Sequence, residues 1–291
     1  MLKSLNMNYL SKIWNFLHEL RVPYFAAIAL PILLGSALAW HTQGALDVGL
    51  FVMSLLAGIF LQAGTTMTND FFDYQRTGEQ DLLWALVPPQ QVLQGAFAFF
   101  IVGAMVGIYV ALVSGPLVWL LGIIGIISGY VYSVPPFRLS GTGLGEILAG
   151  LNLGWLTTLG AYYVQVRSVH GVVVWVALPV ALLMTAVLVL NGFQPAKLAA
   201  NRSLWSKLGI ERASFAYMLP AMGAYALLII GVALDWLPQL SLLGLLGLPF
   251  AAIAVVSTQM SHLSLAIVSA IGAHLSTTAL LALAFILHGL W

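Results

Sequence analysis

The sequence predicts an all-α protein that crosses a membrane nine times, and three observations support this fold class. Hydrophobic residues occupy 61% of the 291 positions and charged residues only 7%, a composition that water-soluble domains of this length do not have. Apolar segments long enough to span a bilayer recur along the chain. Positive charges fall almost entirely on one side of the resulting topology.

The N-terminal residues 1–21 predict an amphipathic helix that lies on the membrane surface. Apolar residues recur there at helical spacing, with Lys3, Lys12 and Arg21 between them. The apolar run that follows, residues 22–40, ends near an Ala-Leu-Ala sequence that resembles a signal-peptide cleavage site. Because this run is longer than a usual signal-peptide core, we expect the first membrane span here instead.

Nine apolar segments predict the membrane spans, and together they predict a single membrane domain over residues 1–291. The segments cover residues 22–40, 45–68, 91–113, 116–133, 144–165, 172–190, 213–234, 240–256 and 266–287. The eighth segment is the weakest prediction because Pro249 interrupts it. Two inner connections, residues 69–90 and 191–212, are longer than tight turns and are predicted to be cytoplasmic loops that carry the functional motifs.

The distribution of Lys and Arg tests this topology. With the N-terminus inside, Arg167 is the single positive residue on the outer side. The other nine fall on the inner side: Lys3, Lys12, Arg21, Arg76, Arg138, Lys197, Arg202, Lys207 and Arg212. This bias is typical of cytoplasmic loops, and the acidic residues Asp70 and Asp73 lie on the same side. The sequence therefore predicts a cell-membrane protein whose chemistry faces the cytoplasm.

The acidic stretch at the end of the second span is the strongest candidate site. If the helix continues through it, Asn69, Asp70 and Asp73 share one helix face because residues three and four apart are neighbours. Two carboxylates held together at a membrane boundary repel each other unless a cation bridges them. Oxygen ligands of this kind suit Mg²⁺, which completes its coordination with water and substrate phosphates. A polar helix end in a solvated loop is the alternative interpretation.

Three stretches of the sequence resemble the UbiA superfamily of intramembrane prenyltransferases. Asn-Asp-x-x-Asp at residues 69–73 is similar to the first aspartate-rich motif of that superfamily, and its continuation resembles the menaquinone branch. Residues 130–139, Tyr-Val-Tyr-Ser-Val-Pro-Pro-Phe-Arg-Leu, resemble the loop after the fourth helix in that branch, together with Gly-Leu-Gly-Glu at 143–146. Gly-Ala-Tyr-Tyr-Val-Gln at 160–165 is similar to it as well.

The resemblance implies a fold, a reaction and a set of site residues. Nine helices would surround a central cavity, with the two inner connections facing each other over its mouth. The implied reaction is Mg²⁺-dependent transfer of a polyprenyl group from an allylic diphosphate to an aromatic acceptor such as 1,4-dihydroxy-2-naphthoate. Asn69, Asp70 and Asp73 would bind the metal. The residues expected to bind the diphosphate or the substrates are Arg76, Tyr130, Tyr132, Ser133, Arg138, Asn191, Lys197 and Arg202.

The second inner connection departs from the family pattern. Family members usually repeat the motif there as Asn-x-x-x-Asp-x-x-x-Asp, whereas this chain keeps Asn191 but has Pro195 and Ala199 at the acidic positions. One metal would then lack protein ligands. Lys197 and Arg202 could meet the phosphates directly, since a cation can replace part of a metal's charge, or they could simply be inner-side charges that fix the topology.

Three other functions remain as alternatives to prenyl transfer. The altered second connection is compatible with a catalytically impaired relative that binds isoprenoid or serves as a partner subunit, and a cyclase of the same superfamily would need no aromatic acceptor. A transporter is disfavoured because the acids lie at one face and not at the midplane. Nothing indicates nucleic-acid binding. Gly141, Gly143 and Gly145 follow no strand and predict a turn into the fifth helix, not a nucleotide-binding loop.

Overall fold

A computed structural model describes residues 22–77, 88–134, 136–194 and 203–289, and these residues are overwhelmingly helical. Within the described ranges, nine helices are long and apolar enough to cross a membrane, which confirms the predicted fold class and the number of spans. The amphipathic helix predicted for residues 1–21 lies outside the described residues. The prediction of one domain over the whole chain stays a prediction.

Ten helices follow one another within the described ranges. The first four are α1 (Val22–Gln43), α2 (Val48–Thr77), α3 (Pro89–Ser114) and α4 (Pro116–Ser133). The fifth span, α5 (Leu144–Val166), contains three consecutive segments and is followed by α6 (Gly171–Gly192). The remaining helices are the short α7 (Leu204–Leu208), then α8 (Ala213–Ala233), α9 (Leu248–Gln259) and α10 (Leu263–His288).

Helix α2 extends well beyond its apolar run. The run ends near Thr68, but the helix continues to Thr77. The added residues are mostly polar yet include neither Gly nor Pro, so nothing in them stops the helix as it leaves the membrane. The start of the predicted loop over residues 69–90 is therefore helical, which is the condition that we set for Asn69 and Asp73 to share a face.

The eighth span exists as predicted, although its two halves differ in conformation. Residues Gln239–Gly247 form a 3₁₀ helix, and α9 begins at Leu248. Pro249 lies in the first turn of α9, where its missing N–H removes no intrahelical hydrogen bond. In the 3₁₀ part, the Gly244 carbonyl accepts a hydrogen bond from the Thr277 hydroxyl at 3.1 Å. The proline therefore marks a change of helix type within one span.

Helix α5 contains a wide π-helical turn over Leu151–Leu156, between α-helical segments on either side. Its inner segment carries Glu146. Its outer segment carries Tyr162, which is buried and whose hydroxyl lies 3.3 Å from the Thr42 hydroxyl oxygen and 2.6 Å from Nδ1 of His170. The two ends of α5 thus have different partners: Glu146 contacts Trp205, and Tyr162 contacts Thr42 and His170.

Helix α6 lies at the centre of the packing, and about two-thirds of its membrane window is buried (67%) against about one-tenth for α4 (11%). It contacts α5, α8 and α10, while α1 packs on α5 and α10, and α2 packs mainly on α3. The approach of α5 to α6 is close because a Cβ atom at Gly150 would overlap Thr185. This packing brings together, on one side of the protein, the ends of α2, α4, α5 and α6 that are predicted to face the cytoplasm, and these are called the inner ends below.

Candidate functional site

The inner end of α2, residues 69–77, is the first inner segment of the candidate site. Its backbone is helical throughout, so the helix register places positions 69, 70 and 73 on one face. The side chains of Asn69 and Asp70 are partly buried. The side chains of Asp73 and Arg76 lie outside the described part of the structure.

Two residues from the end of α4 and the following loop contact this segment. The Ser133 hydroxyl donates a hydrogen bond to Oδ1 of Asn69 at 3.3 Å, and Nη2 of Arg138 donates to the Phe72 carbonyl at 2.7 Å. A guanidinium close to the C-terminal turns of a helix also interacts favourably with the helix dipole. The structure therefore brings Asn69, Ser133 and Arg138 together, although more than sixty residues separate the two stretches in sequence.

The loop between α4 and α5, residues 136–143, folds back on the end of α4. The backbone N–H groups of Leu139 and Ser140 donate to the carbonyls of Val131 and Tyr132, both at 3.1 Å. Arg138 has a positive φ of 40°, which is uncommon for a residue with a side chain. This backbone conformation turns the chain and places the guanidinium at the end of α2.

The two tyrosines predicted to line the site differ in burial. Tyr132 is partly buried, and its carbonyl is tied to the α4–α5 loop. Tyr130 is about half exposed on α4, with 51% of its surface accessible. Tyr132 is thus connected to the inner end of α2 through the loop, whereas Tyr130 presents half of its surface to the outside of the helix bundle. Lys197 and Arg202 belong to residues that the structure does not describe.

The second inner segment consists of residues 191–194 and 203–209, and it is packed more tightly than the first. Asn191, the last but one residue of α6, is 6% exposed, and its Oδ1 accepts a hydrogen bond from the Gln194 side chain at 3.3 Å. The rings of Phe193 and Trp205 are both buried, with centroids 5.3 Å apart. The segment is therefore anchored by aromatic packing next to Asn191.

Glu146 connects the α4–α5 loop to the second inner segment, a role that sequence reasoning did not assign to it. The carboxylate is 3% exposed. Its Oε1 accepts hydrogen bonds from the Gly141 N–H at 2.9 Å and from the Trp205 indole N–H at 3.2 Å, and its Oε2 accepts from the Gly143 N–H at 2.8 Å. A Glu three residues after a helix-starting Gly was an available signal, since acids at this position often bond the backbone of the first turn.

The glycines of this loop have the role that the sequence predicted for them. Gly141 and Gly143 have φ values of +85° and +86°, and they form the turn that leads into α5 at Leu144. The Gly141 carbonyl accepts a hydrogen bond from the Leu204 N–H at 2.7 Å. The α4–α5 loop thus touches the first inner segment through Arg138 and the second through Gly141 and Glu146.

The donor atoms at the first inner segment fit a hard divalent cation. Among the side chains that the structure describes, no three His, Asp or Glu residues lie close enough to hold a metal. Asn69 and Asp70 nevertheless offer oxygen donors on adjacent positions, and the register adds position 73. Mg²⁺ needs only one or two carboxylates because water and phosphate oxygens complete its octahedron.

Comparison with known proteins supports these observations at the level of family and fold. The family model described as the UbiA prenyltransferase family matches residues 28–266. The chain is 24% identical over 239 residues to the 1,4-dihydroxy-2-naphthoate octaprenyltransferase of Bacillus subtilis (strain 168), covering 77% of this chain and 76% of the relative. It is 26% identical over 258 residues to the 2-carboxy-1,4-naphthoquinone phytyltransferase of Synechocystis sp., covering 82% and 80%.

A solved structure shows the same fold. The UbiA homologue of Archaeoglobus fulgidus superimposes with a TM-score of 0.59 at 16% identity, over 95% of this chain and 98% of the homologue. The structure of that homologue bound to DMAPP and Mg²⁺ superimposes with a TM-score of 0.53 at 15% identity, with the same coverage. The predicted arrangement of nine spans is therefore one that a solved protein adopts.

Proposed function

The chain belongs to the UbiA prenyltransferase family, and from this premise we propose that it transfers a polyprenyl group from an allylic diphosphate to an aromatic acceptor. We propose 1,4-dihydroxy-2-naphthoate or a similar acid as the acceptor, in quinone biosynthesis. Two relatives, named as a 1,4-dihydroxy-2-naphthoate octaprenyltransferase and a 2-carboxy-1,4-naphthoquinone phytyltransferase, support this choice of acceptor.

One structural observation carries the proposal. The stretches around Asp70 and Arg138 meet at the inner end of α2, through the hydrogen bonds of Ser133 with Asn69 and of Arg138 with Phe72. Each stretch resembles the family on its own, but a prenyl transfer site needs acidic and basic groups at one place. The acidic groups would hold the metal, and the basic groups would balance the charge of the departing diphosphate.

The proposed roles follow from the chemistry of each side chain. Asn69, Asp70 and Asp73 would hold Mg²⁺, which when bound neutralises phosphate charge and makes the diphosphate a better leaving group. Ser133 orients the Asn69 amide, while Arg138 supports the inner end of α2. The candidates for direct contact with the phosphates are Arg76, Arg138, Asn191, Lys197 and Arg202. Tyr130 and Tyr132 would line the site from α4.

The surrounding helices contribute by excluding water. The bond between the allylic carbon and the diphosphate oxygen breaks, and the cation left on the prenyl chain must meet the acceptor ring before it meets water. The ring then loses a proton to restore aromaticity. Charged residues make up only 7% of the chain, and the apolar composition of the spans suits both the prenyl tail and this requirement.

The chain is an integral membrane protein, and we propose a cell-membrane location with the N-terminus and both inner segments in the cytoplasm. Nine of the ten Lys and Arg residues fall on that side, in accordance with the positive-inside rule. Accessibility of single cysteines to a membrane-impermeant reagent tests this orientation, because the natural chain has no cysteine.

The activity is tested with purified protein in detergent, Mg²⁺, a prenyl diphosphate and a panel of aromatic acids. We expect diphosphate release together with a prenylated naphthoate product, and no product after chelation of the metal. Absence of release with every substrate pair would overturn the proposal.

A second candidate function is favoured by Pro195 and Ala199, which occupy the usual acidic positions of the second motif. A chain impaired in this way would bind isoprenoid diphosphate without consuming it. Binding without diphosphate release would favour this function, or that of a partner subunit. Release that needs no acceptor would instead favour a cyclase.

A further inference from the structure

We propose that Glu146 is a positioning residue that acts through Trp205 to present Asn191 to the diphosphate of the substrate. This inference rests on the proposed function for the identity of the ligand. In this proposal a protein carboxylate fixes the second inner segment. The connection within this segment has Pro195 and Ala199 at the usual acidic positions, so a metal has no carboxylate there through which to hold it.

The burial of Glu146 shows that its carboxylate is held by specific partners. A carboxylate with 3% exposure is unfavourable unless hydrogen bonds replace its lost hydration. Gly141 and Gly143 supply two N–H donors from the α4–α5 loop, and Trp205 supplies the third from the second inner segment. The carboxylate therefore joins the α4–α5 loop to the second inner segment, because neither of them alone provides all three donors.

A chain of contacts leads from this carboxylate to Asn191. The indole ring of Trp205 lies so close to the last turn of α6 that a Cβ atom at Gly192 would overlap it. The same ring packs at 5.3 Å from the ring of Phe193, measured between centroids. Gly192 and Phe193 directly follow Asn191 in the chain. A shift of the indole must therefore move the backbone that carries Asn191.

The α4–α5 loop links this chain of contacts to the metal-binding side. Arg138 of the loop donates to the Phe72 carbonyl of the first inner segment, while Gly141 accepts from Leu204 of the second. Glu146 stabilises the loop between these two points. These hydrogen bonds of the α4–α5 loop thus set the distance between the two inner segments.

The test uses the full-length protein in detergent and two variants that alter the hydrogen bond between Trp205 and Glu146. Glu146→Gln leaves one oxygen for three donors and turns an N–H₂ group toward one of them. Trp205→Phe removes the indole N–H together with the pyrrole part of the ring, which also contacts Gly192, and keeps a six-membered aromatic ring beside Phe193. We expect the Kd of a non-reactive geranyl S-thiolodiphosphate, measured with Mg²⁺, to rise at least about tenfold in Glu146→Gln and about three- to fivefold in Trp205→Phe.

Kinetics separate a positioning role from a general loss of structure. The KM for the prenyl diphosphate should rise in parallel with this Kd, while kcat changes less than about twofold, because Asn191 would bind substrate and transition state alike. The rise in Kd in the double variant should be smaller than the product of the two single rises, because both changes weaken the same hydrogen bond between position 146 and the indole.

Trp175→Phe is the matched control. Its indole N–H also donates between two helices, to the Leu227 carbonyl at 3.1 Å, but it lies in the opening turns of α6, far along the helix from Asn191. We expect a fall in thermal stability similar to that of Trp205→Phe, with an unchanged Kd. An equal Kd in Trp205→Phe and the wild type, with lowered stability, would overturn the positioning role, and so would a Kd raised equally by Trp175→Phe.

The binding measurement keeps this inference separate from the proposed function. A wild type that binds the analogue without turning over any substrate pair contradicts prenyl transfer, yet the ratio of Kd values still decides the role of Glu146. A wild type that binds no analogue overturns both. If Glu146→Gln does not fold, Trp205→Phe alone decides.

Discussion

The first inner segment is a helix end with partly buried polar side chains, whereas the second is packed around buried aromatic rings. Ser133 donates a hydrogen bond to Asn69, and Arg138 donates one to the Phe72 carbonyl of the same segment. Asn191, in contrast, is buried beside Phe193 and Trp205. We therefore expect the first segment to accept a cation without rearrangement of the core, and the second to keep its aromatic packing.

The difference shows how two segments that each carry an Asn near the end of a membrane span can contribute differently to one site. Acidic residues are present at the first segment. The second segment instead donates hydrogen bonds from Trp205 to Glu146 and from Leu204 to the Gly141 carbonyl of the α4–α5 loop. Metal binding on one side and protein packing on the other would together define the mouth of the cavity. The following predictions test this division of roles.

The largest effect is expected from loss of a carboxylate at the first inner segment. Asp70→Asn should lower diphosphate release at least about a hundredfold, because an amide is a weaker Mg²⁺ ligand and carries no charge. Initial rates over a range of Mg²⁺ concentrations check this. The matched control is Asp47→Asn at the opposite end of α2, where Asp47 accepts the Leu50 N–H at 2.9 Å. A similar rate in Asp70→Asn and wild type would contradict the assignment of the metal site.

The next largest effect concerns the support of the same segment by Arg138. Both Arg138→Ala and Arg138→Lys should lower kcat/KM about tenfold or more, because neither reproduces the guanidinium contact with the Phe72 carbonyl. Full activity in Arg138→Lys would show instead that the charge alone matters, as expected for direct phosphate contact. Arg167→Lys, on the outer side, is the control and should leave kcat/KM unchanged.

The packing of the second inner segment is tested at Gly192. Gly192→Ala should destabilise the protein by about 1–3 kcal/mol, because the added methyl group overlaps the Trp205 ring. Thermal unfolding in detergent measures this. Gly107→Ala in α3 is the control, since a Cβ atom there has no neighbour within 4 Å. Equal unfolding temperatures for the two variants would show that the second segment is looser than its contacts indicate.

The smallest effect is expected from Ser133→Ala. This change removes one neutral hydrogen bond to Asn69, at 3.3 Å, and leaves both carboxylates in place. We expect the Mg²⁺ concentration for half-maximal rate to rise about threefold. No change would indicate that the metal site does not depend on the orientation of Asn69, while a loss as large as that of Asp70→Asn would point to a direct role of the hydroxyl.

Much of the fold could be predicted from hydrophobicity because the thickness of a bilayer fixes the length of an apolar span. The ends of the helices could not be predicted in this way, because hydration and the absence of helix-breaking residues decide where a helix ends. Helix α2 reaches Thr77 for this reason, and the second half of the eighth span begins at Leu248, next to Pro249. Because α2 extends to Thr77, positions 69 and 73 share one helix face, as we expected if the helix continued through them.

The site could be predicted only where neighbouring residues in the sequence define it. Positions 69, 70 and 73 are close in sequence, so spacing along a helix was sufficient to predict their shared face, while their role in metal binding stays a prediction. The contacts of Arg138 with Phe72 and of Glu146 with Trp205 join residues far apart in sequence and depend on how the helices pack. Sequence reasoning therefore placed Glu146 only within a stretch that resembles the family, without its partners. The roles given to Arg76, Lys197 and Arg202 stay predictions.

The π-helical turn of α5 has a consequence for how insertions and deletions would act in this protein. Its i to i+5 bonding accommodates one more residue per turn than an α-helix, in which each residue advances the azimuth by about 100°. The wide turn therefore absorbs one residue while Glu146 before it and Tyr162 after it keep their orientations toward separate partners. Excision of one residue between positions 151 and 156 should convert the turn to α-helix and keep both alignments, whereas excision from an α-helical part of α5 between Glu146 and Tyr162 would rotate one relative to the other by about 100°.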